Sequence, residues 1–423
     1  MAAKKVKKKK EQLDFKKIHH SFTTNLESLE AFVKNVSPIA EKHDKATGKA
    51  TREKLDKFAE GIRKIFGVNK DKLDKRKRKQ LIEGMTEDQV KQIIQLAADL
   101  PRLTLPQTEL LHRSSFVILV SYFDFLLSDL IHYFYRKYPE SLSGKDLALT
   151  LSELKLLGGV DEAIDFVINK EAESVLYDSL EKQKLYLKNT LKIDTKDGVI
   201  NWNKLVEAVE RRHIIVHNDC KINRRYLAKV DPSQIPEKTK DFKEGMQVRI
   251  AESYFRSIFE ETCVSGVVLL QCCWRKWEKD DTLDADSGLN SDIYDALLKE
   301  NWIRAERLGL FSKECKVANQ ASRLALDVNY CQSLKWQGKK NELEEELKKF
   351  DISALSPRFA LALYALMSDH DSFYKNVEHA ITVDKIQETD FMEWPLFREL
   401  RKDPDYEARI KTVFRSISEK DGK

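Results

Sequence analysis

Apolar residues recur at three- and four-residue steps along most of this chain, which is the period of an α-helix. Phe22, Leu26, Leu29, Phe32 and Val33 keep that step, and Ile62, Ile65 and Phe66 resume it. Thr86 opens the run T-E-D-Q, an N-cap with acidic first-turn residues, ahead of Val90, Ile93, Ile94 and Leu96. Pro101 and Pro106 then punctuate the chain. A long helix is predicted over residues 109–138, where Pro139 stops it. Its apolar face is broad (Leu110, Phe116, Val117, Val120, Phe123, Leu127, Leu130, Phe134), as befits a helix central to a bundle. Helical spacing continues to Leu191, broken at Gly158-Gly159. Asp197-Gly198 signals a turn, and Val199-Ile200 reads as a short extended piece. Residues 205–216 and 246–277 read as helices, with a polar, Pro-containing loop over 231–243 between them.

The last third changes character. Residues 279–291 are acidic and polar and read as a linker. Beyond them Gly309 stands where a helix–turn–helix would turn, and Gly338 does the same between Leu334 and Leu347. Further helices are expected over 359–367 and 373–381. Small residues on tight faces (Ala296, Ala305, Ala318, Ala321, Ala325, Ala360, Ala362, Ala365) suit stacked helix pairs or a plain bundle. The spacing weakly resembles tetratricopeptide-type repeats, without a strict period. The organisation expected is a basic tail (1–12), an N-terminal helical region (13–104), a central bundle (105–278), the linker (279–291) and a C-terminal helical-repeat-like domain (292–423).

Composition supports an all-α chain. Of 423 residues 34% are charged and 42% hydrophobic, with only 14 Gly and 9 Pro, too few turn formers for a sandwich of many short strands. The longest apolar patch, over residues 116–130, is interrupted by Ser121, Asp124, Ser128 and Asp129, short of the ~18–20 residues a bilayer span needs. No apolar stretch follows the lysine-rich start, so the chain reads as cytoplasmic, with no membrane partner. The six cysteines include no C-x-x-C pair and read as packed, reduced thiols. Net charge is +5, but its placement is uneven. The first 100 residues carry 25 basic and 15 acidic side chains, about +10, which leaves about −5 on the rest. Lysine-rich runs at 4–10 and 70–79 create that bias, either as solvated surface or as a phosphate-attracting arm.

Within the acidic remainder lies one basic island, VEAVERRHIIVHNDCKINRRYL, residues 206–227. Arg211, Arg212, His213 and His217 share a helical segment, and Lys221, Arg224 and Arg225 follow. On a helix His213 and His217 lie on one face. Imidazole, with an ordinary pKa near 6.5, can take a proton from a ribose 2′-hydroxyl and return one to a leaving 5′-oxygen. Guanidinium forks onto the non-bridging oxygens of a phosphodiester and opposes the charge that grows on a phosphorane. Together these groups meet the needs of metal-independent RNA cleavage, which DNA escapes because it lacks the internal nucleophile. Zinc ligation is the competing chemistry for an H-x-x-x-H pair. However, Ile214 stands where an H-E-x-x-H metalloprotease has glutamate, and no cofactor or metal is expected.

The run R-H-I-I-V-H-N resembles the R-[polar]-x-x-x-H signature of HEPN domains, in their prokaryotic ribonuclease-like branch. Arg212, His213 and His217 match its arginine, polar and histidine positions, and the likeness extends over roughly residues 105–278. One departure is Cys220, where related sequences often have glycine. The resemblance implies a four-helix bundle that pairs with a second copy to form a composite cleft. It also implies single-stranded RNA as substrate, cyclic-phosphate and 5′-hydroxyl ends, and a role in toxin or antiphage systems. On this reading His217 is the general acid/base, Arg212 stabilises the phosphorane, and His213 orients or assists. Arg211, Lys221, Arg224 and Arg225 track phosphates, and Asp124 or Asp129 orients from the preceding long helix. The C-terminal helices would take a protein regulator or trigger. The alternative is a non-catalytic RNA- or protein-binding scaffold that uses the bundle for dimerisation.

Overall fold

The computed structural model describes residues 13–67, 82–101, 104–143, 150–157, 159–195, 198–231, 233 and 242–421. The lysine-rich runs at 4–10 and 70–79 and the tail at 1–12 lie outside the described residues, as do Gly158, Asp197 and most of the 231–243 loop. Among the described residues every regular element is helical. The one pairing of extended segments is an isolated antiparallel bridge between Lys221 and Gln247. The protein is all-α, as its periodicity predicts.

Helix α1 (Phe15–Phe66) starts where the Asp14 carboxylate accepts the Lys17 N–H at 2.8 Å, and it ends at Gly67 with φ 64°. Its 52 residues span about 78 Å at 1.5 Å per residue. The first half buries Phe15, Ile18, Phe22, Leu26, Leu29 and Val33, whereas Phe32 faces out. Helix α2 (Glu87–Ala98) has the capping box expected at Thr86, closed by Gln89. It packs on the second half of α1, where Gly61 leaves room for Leu96; a Cβ there would fall 2.6 Å from a Leu96 methyl.

Helix α3 (Gln107–Lys137) is the centre of the molecule and packs on α1, on α5 (Val160–Tyr177), on α7 (Trp202–His217) and on α9 (Glu252–Trp277). Two shorter helices, α4 (Leu151–Leu157) and α6 (Leu180–Asn189), flank α5 in the chain. Asp44 of α1 caps α3, accepting the Gln107 N–H at 2.7 Å and the Thr108 N–H at 2.9 Å. By length and mean hydropathy α3 is long and apolar enough to cross a membrane, which corrects the expectation that no segment reaches that size. Much of its packing is that of a core helix: fourteen of its residues, among them Phe116, Leu119, Leu130 and Tyr135, are buried, and it packs against four helices.

Two sequence expectations fail in the C-terminal part. Residues 279–291 form no linker, because helix α10 (Thr282–Leu298) begins there. Ala285, Leu289 and Ile293 recur every four residues and are fully buried, and the acidic residues between them are used rather than solvated. Asp286 takes Arg275 at 2.7 Å and the Ala318 N–H at 2.7 Å, Asp281 accepts Trp274 Nε1 at 2.8 Å, and Asp284 pairs with Lys16 at 2.7 Å. Gly309 is no turn either. It sits inside α11 (Trp302–Lys313), where α12 (Gln320–Gln337) presses so close that a Cβ would fall 2.7 Å from the Tyr330 ring. Gly338 does turn the chain, with φ 72°, into α13 (Lys340–Leu347). Helices α14 (Pro357–Met367) and α15 (His370–Asp384) turn at Ser368, φ 57°.

One apolar core runs from Phe15 through α3, α5, α7, α9, α10 and α11 to Leu326. A second core begins two residues later on the same helix, at Val328, and ends at Ile410 of α17 (Tyr406–Asp421), with α16 (Glu388–Glu393) contributing Phe391. The first core thus draws residues from both sides of 104 and of 279, and the change of core comes within α12.

Candidate functional site

Helix α7 is positioned by what its inner face buries. Asn201 caps it by accepting the Lys204 N–H at 3.0 Å, and Leu205, Val206, Ala208 and Ile214 enter the core. On the same inner face Glu207 and Arg211, one turn apart, pair at 2.7 Å with neither side chain exposed to solvent. The Arg211 guanidinium lies 3.8 Å from the centre of the Tyr254 ring and donates to the Arg249 carbonyl at 3.3 Å and to the Tyr226 hydroxyl at 3.5 Å. Glu207 accepts both tyrosine hydroxyls, from Tyr226 on the short helix α8 (Arg224–Lys229) at 2.5 Å and from Tyr254 on α9. Burial and the Glu207 charge push both phenols far above their ordinary range. Arg211 is thus a tie between three helices, which corrects its expected role on phosphate, since no atom of it reaches the surface.

The neighbouring side chain has the opposite character. Arg212 is half-buried, and among the described residues it makes no hydrogen bond and has no carboxylate within 4.0 Å. Its Nε is sealed from solvent without an acceptor. Next along the helix are His213, half-buried, and His217, exposed at the helix end, which share a face with ring centroids 4.7 Å apart. Burial, then the Arg225 and His217 charges, lower the His213 pKa, so its ring favours the neutral, proton-accepting form.

Helix α7 stops after His217 because the next residues leave helical space. Asp219 and Cys220 both have positive φ, 46° and 59°, and the N–H groups of Asn218 and Cys220 converge on the Ile214 carbonyl at 2.9 and 3.0 Å. The position where glycine was expected is therefore a left-handed one, as glycine would favour. Cys220 takes it with its side chain fully buried among Ile214, Ile222, Tyr226, Val230 and Val248. The turn is tied to the segment before α9: Ile222 N–H donates to the Met246 carbonyl at 2.8 Å, and Val248 N–H to the Cys220 carbonyl at 2.9 Å. That segment is extended, so α9 starts at Glu252 rather than near 246.

The remaining predicted cations differ in freedom. Arg225 forks onto Glu210 at 2.9 and 3.2 Å, and Lys229 shares that buried carboxylate at 3.1 Å. Arg224 is 89% exposed, loosely held by Glu244 at 3.1 Å, and Lys221 is exposed at the turn. Two residues unmarked by sequence reasoning join this rim. Arg249 is 81% exposed and approaches Glu109 at 3.9 Å, and Glu109 also pairs with Arg113, which stands 3.9 Å from Asp219. No local signal marks them, since the bridge at Lys221 and Gln247 joins segments distant in sequence.

Of the two expected carboxylates, Asp124 alone feels the charge of the motif arginine, and neither makes a hydrogen bond or ion pair with a motif residue. Burial pushes its carboxyl up to about 6, against the pull of Arg212 across the α3–α7 contact. Asp129 is also raised by burial, and the charges acting on it are His132 and Arg136 of its own helix rather than those of the motif. Among the described residues no cluster of three His, Cys, Asp or Glu side chains gathers as a metal site. The geometry offers one uncommitted guanidinium beside two imidazoles, able to hold an oxyanion and to exchange protons with groups next to it. No family model, curated protein or solved structure matches this chain.

Proposed function

We propose that this protein is a metal-independent endoribonuclease of HEPN-like type, acting on single-stranded RNA in the cytoplasm as a regulated toxin or defence effector. The single observation that carries the reading is the free state of Arg212 beside the His213–His217 pair, while Arg211 and Arg225 are committed to carboxylates. A half-buried guanidinium without an anion is costly to leave unmet unless a ligand supplies the charge. In the proposed reaction Arg212 takes a non-bridging oxygen of the scissile phosphate. His217 acts as the general acid/base on the 2′-hydroxyl and the leaving 5′-oxygen, with neutral His213 assisting. The 2′-oxygen attacks phosphorus as the bond to the 5′-oxygen breaks, leaving a 2′,3′-cyclic phosphate and a 5′-hydroxyl. Lys221, Arg224 and Arg249 are the exposed cations placed to meet flanking phosphates.

Pairing with a second copy is part of the proposal. Its support is an apolar face of α3, where Ile118 and Phe125, seven residues apart, are exposed; Leu151, Leu154 and Val160 are also exposed on α4 and α5. The test is cleavage of single-stranded RNA in EDTA with identification of product ends. Cyclic phosphate and 5′-hydroxyl ends, lost in His217→Ala with the helical content intact, support the reading. Retained cleavage in that variant, with contaminating nuclease excluded, sinks it.

A further inference from the structure

We propose that the cleft at the start of α7 is a nucleotide subsite for single-stranded RNA: one base stacks on Trp202 while Lys184 and Lys188 take its phosphate. Its link to cutting rests on the ribonuclease reading, whereas the cleft itself is a feature of the fold. It encloses about 620 Å³, between α6, the segment that follows it and the first turns of α7. That size falls in the range of ~300–1,000 Å³ common to small-ligand sites. Leu187, Ile193 and Val206 give it a buried apolar floor, and half-buried Trp202 lines one side. The Lys184 ammonium stands over the Trp202 ring at 5.6 Å, so a face of the indole turns toward this lysine. Lys184 makes no ion pair among the described residues. Lys188, 62% exposed, is loosely held 3.7 Å from an exposed Asp194. An indole face beside two ammonium groups suits a ligand that is flat and anionic at once, as a nucleotide is. Stacking of a base on the ring outweighs one cation held over it, so the base moves Lys184 onto the phosphate.

The place of this cleft on the motif helix ties it to RNA rather than to another flat anion. At about 100° per residue, Trp202, Val206, His213 and His217 fall within about 60° of one another on α7. His213 lies eleven residues beyond Trp202 on that face, about 16 Å along the helix axis. Between them Glu210 holds Arg225 and Lys229, whose side chains are 50% and 29% exposed. Lys229 also approaches Glu181, which lines the cleft, at 3.8 Å. Cations thus continue from the cleft to the histidines, as a strand with a charge on every nucleotide requires. Lys221, Arg224 and Arg249 stand past the other end of α7, so the strand is held on both sides of the scissile phosphate. Every base has a face to stack, so this subsite adds affinity without sequence preference.

The experiment uses the full chain and a fluorescent, non-cleavable 2′-O-methyl RNA, with binding read by anisotropy at several salt concentrations. Trp202→Ala is expected to weaken binding by about 5–100-fold, the loss of one stacked base, and Trp202→Phe to keep most of the affinity. Lys184→Gln combined with Lys188→Gln should weaken binding and lower the slope of log Kd against log salt by about 1. Thermal melting reports folding. Neither lysine is buried, so the lysine variant carries the test if Trp202→Ala unfolds. Wild-type affinity in either folded variant overturns the subsite, as does tighter binding of adenosine 5′-monophosphate than of the RNA. RNA bound with these losses but never cut by the wild type removes the ribonuclease reading alone. Cutting with an affinity that these substitutions leave untouched removes the subsite alone. A wild type that neither binds nor cuts removes both.

Discussion

Arg211 and Glu207 pair at 2.7 Å with both side chains sealed from solvent, and the adjacent Arg212 makes no hydrogen bond or ion pair among the described residues. Two neighbouring arginines thus divide the labour of one helix. Arg211→Met should cost about 3–5 kcal/mol, because it leaves the Glu207 charge buried without a cation. Arg212→Met should stay within about 1 kcal/mol of wild type in stability and abolish cleavage. Urea denaturation beside the cleavage assay checks both; equal destabilisation by the two variants contradicts the division.

The Asp44 cap on α3 should give an acid-sensitive joint. Burial opposes the charge on Asp44, but the Thr108 and Gln107 N–H groups and the Thr108 hydroxyl outweigh it and hold the carboxyl at about 2. A folded pKa below the unfolded one contributes stability that is fully present above about pH 4. That stability is lost as pH falls toward 2. Asp44→Ala should cost about 0.5–2 kcal/mol at pH 7 and flatten this part of the pH–stability curve. An unchanged slope between pH 4 and 2 would count against the cap.

A second pH dependence runs the other way. His19 of α1 meets Asp292 of α10 at 2.9 Å, and although burial disfavours its charge, the carboxylate raises its pKa above the ordinary value. Stability from a raised histidine is complete below about pH 6.5 and fades as pH rises through the folded pKa. Burial also raises Asp292, which adds a slope of the same sign at lower pH. The melting temperature should fall between pH 6 and pH 8, and His19→Gln should lessen that fall.

Gly266 of α9 lies against the Phe22 ring of α1, where a Cβ would stand 2.1 Å from a ring carbon. Gly266→Ala should therefore destabilise the fold by about 1–3 kcal/mol through overpacking. Chemical denaturation reads it, and a neutral result would mean that α1 docks more loosely than this contact requires.

The exposed apolar face of α3 predicts an oligomer. Light scattering should find a dimer for the wild type and a monomer for Phe125→Glu, with the folded helical signal retained. A monomeric wild type would remove the composite cleft from the proposal.

Helix periodicity made most elements legible, including the Thr86 cap and the turn at Gly338, because both depend on residues within one helical turn. The failures were of another kind. The acidic stretch at 279–291 looked like solvated linker because its partners, Lys16, Arg275 and Ala318, come from other parts of the chain. Gly309 looked like a turn because the Tyr330 ring that explains it belongs to the next helix.

At the candidate site the sequence alone determined the chemical inventory: two histidines on one helical face, with arginines beside them. Spacing of 3.6 residues per turn is a local property, so that much needed no fold. Which arginine is free could not be read there, since RR offers two identical side chains whose difference is only what they meet. Tertiary packing turned Arg211 inward to Glu207 and Tyr254 and left Arg212 without an ion pair among the described residues. Burial and charge pairing are sums over neighbours in space, and the chain acquires those neighbours only when it folds.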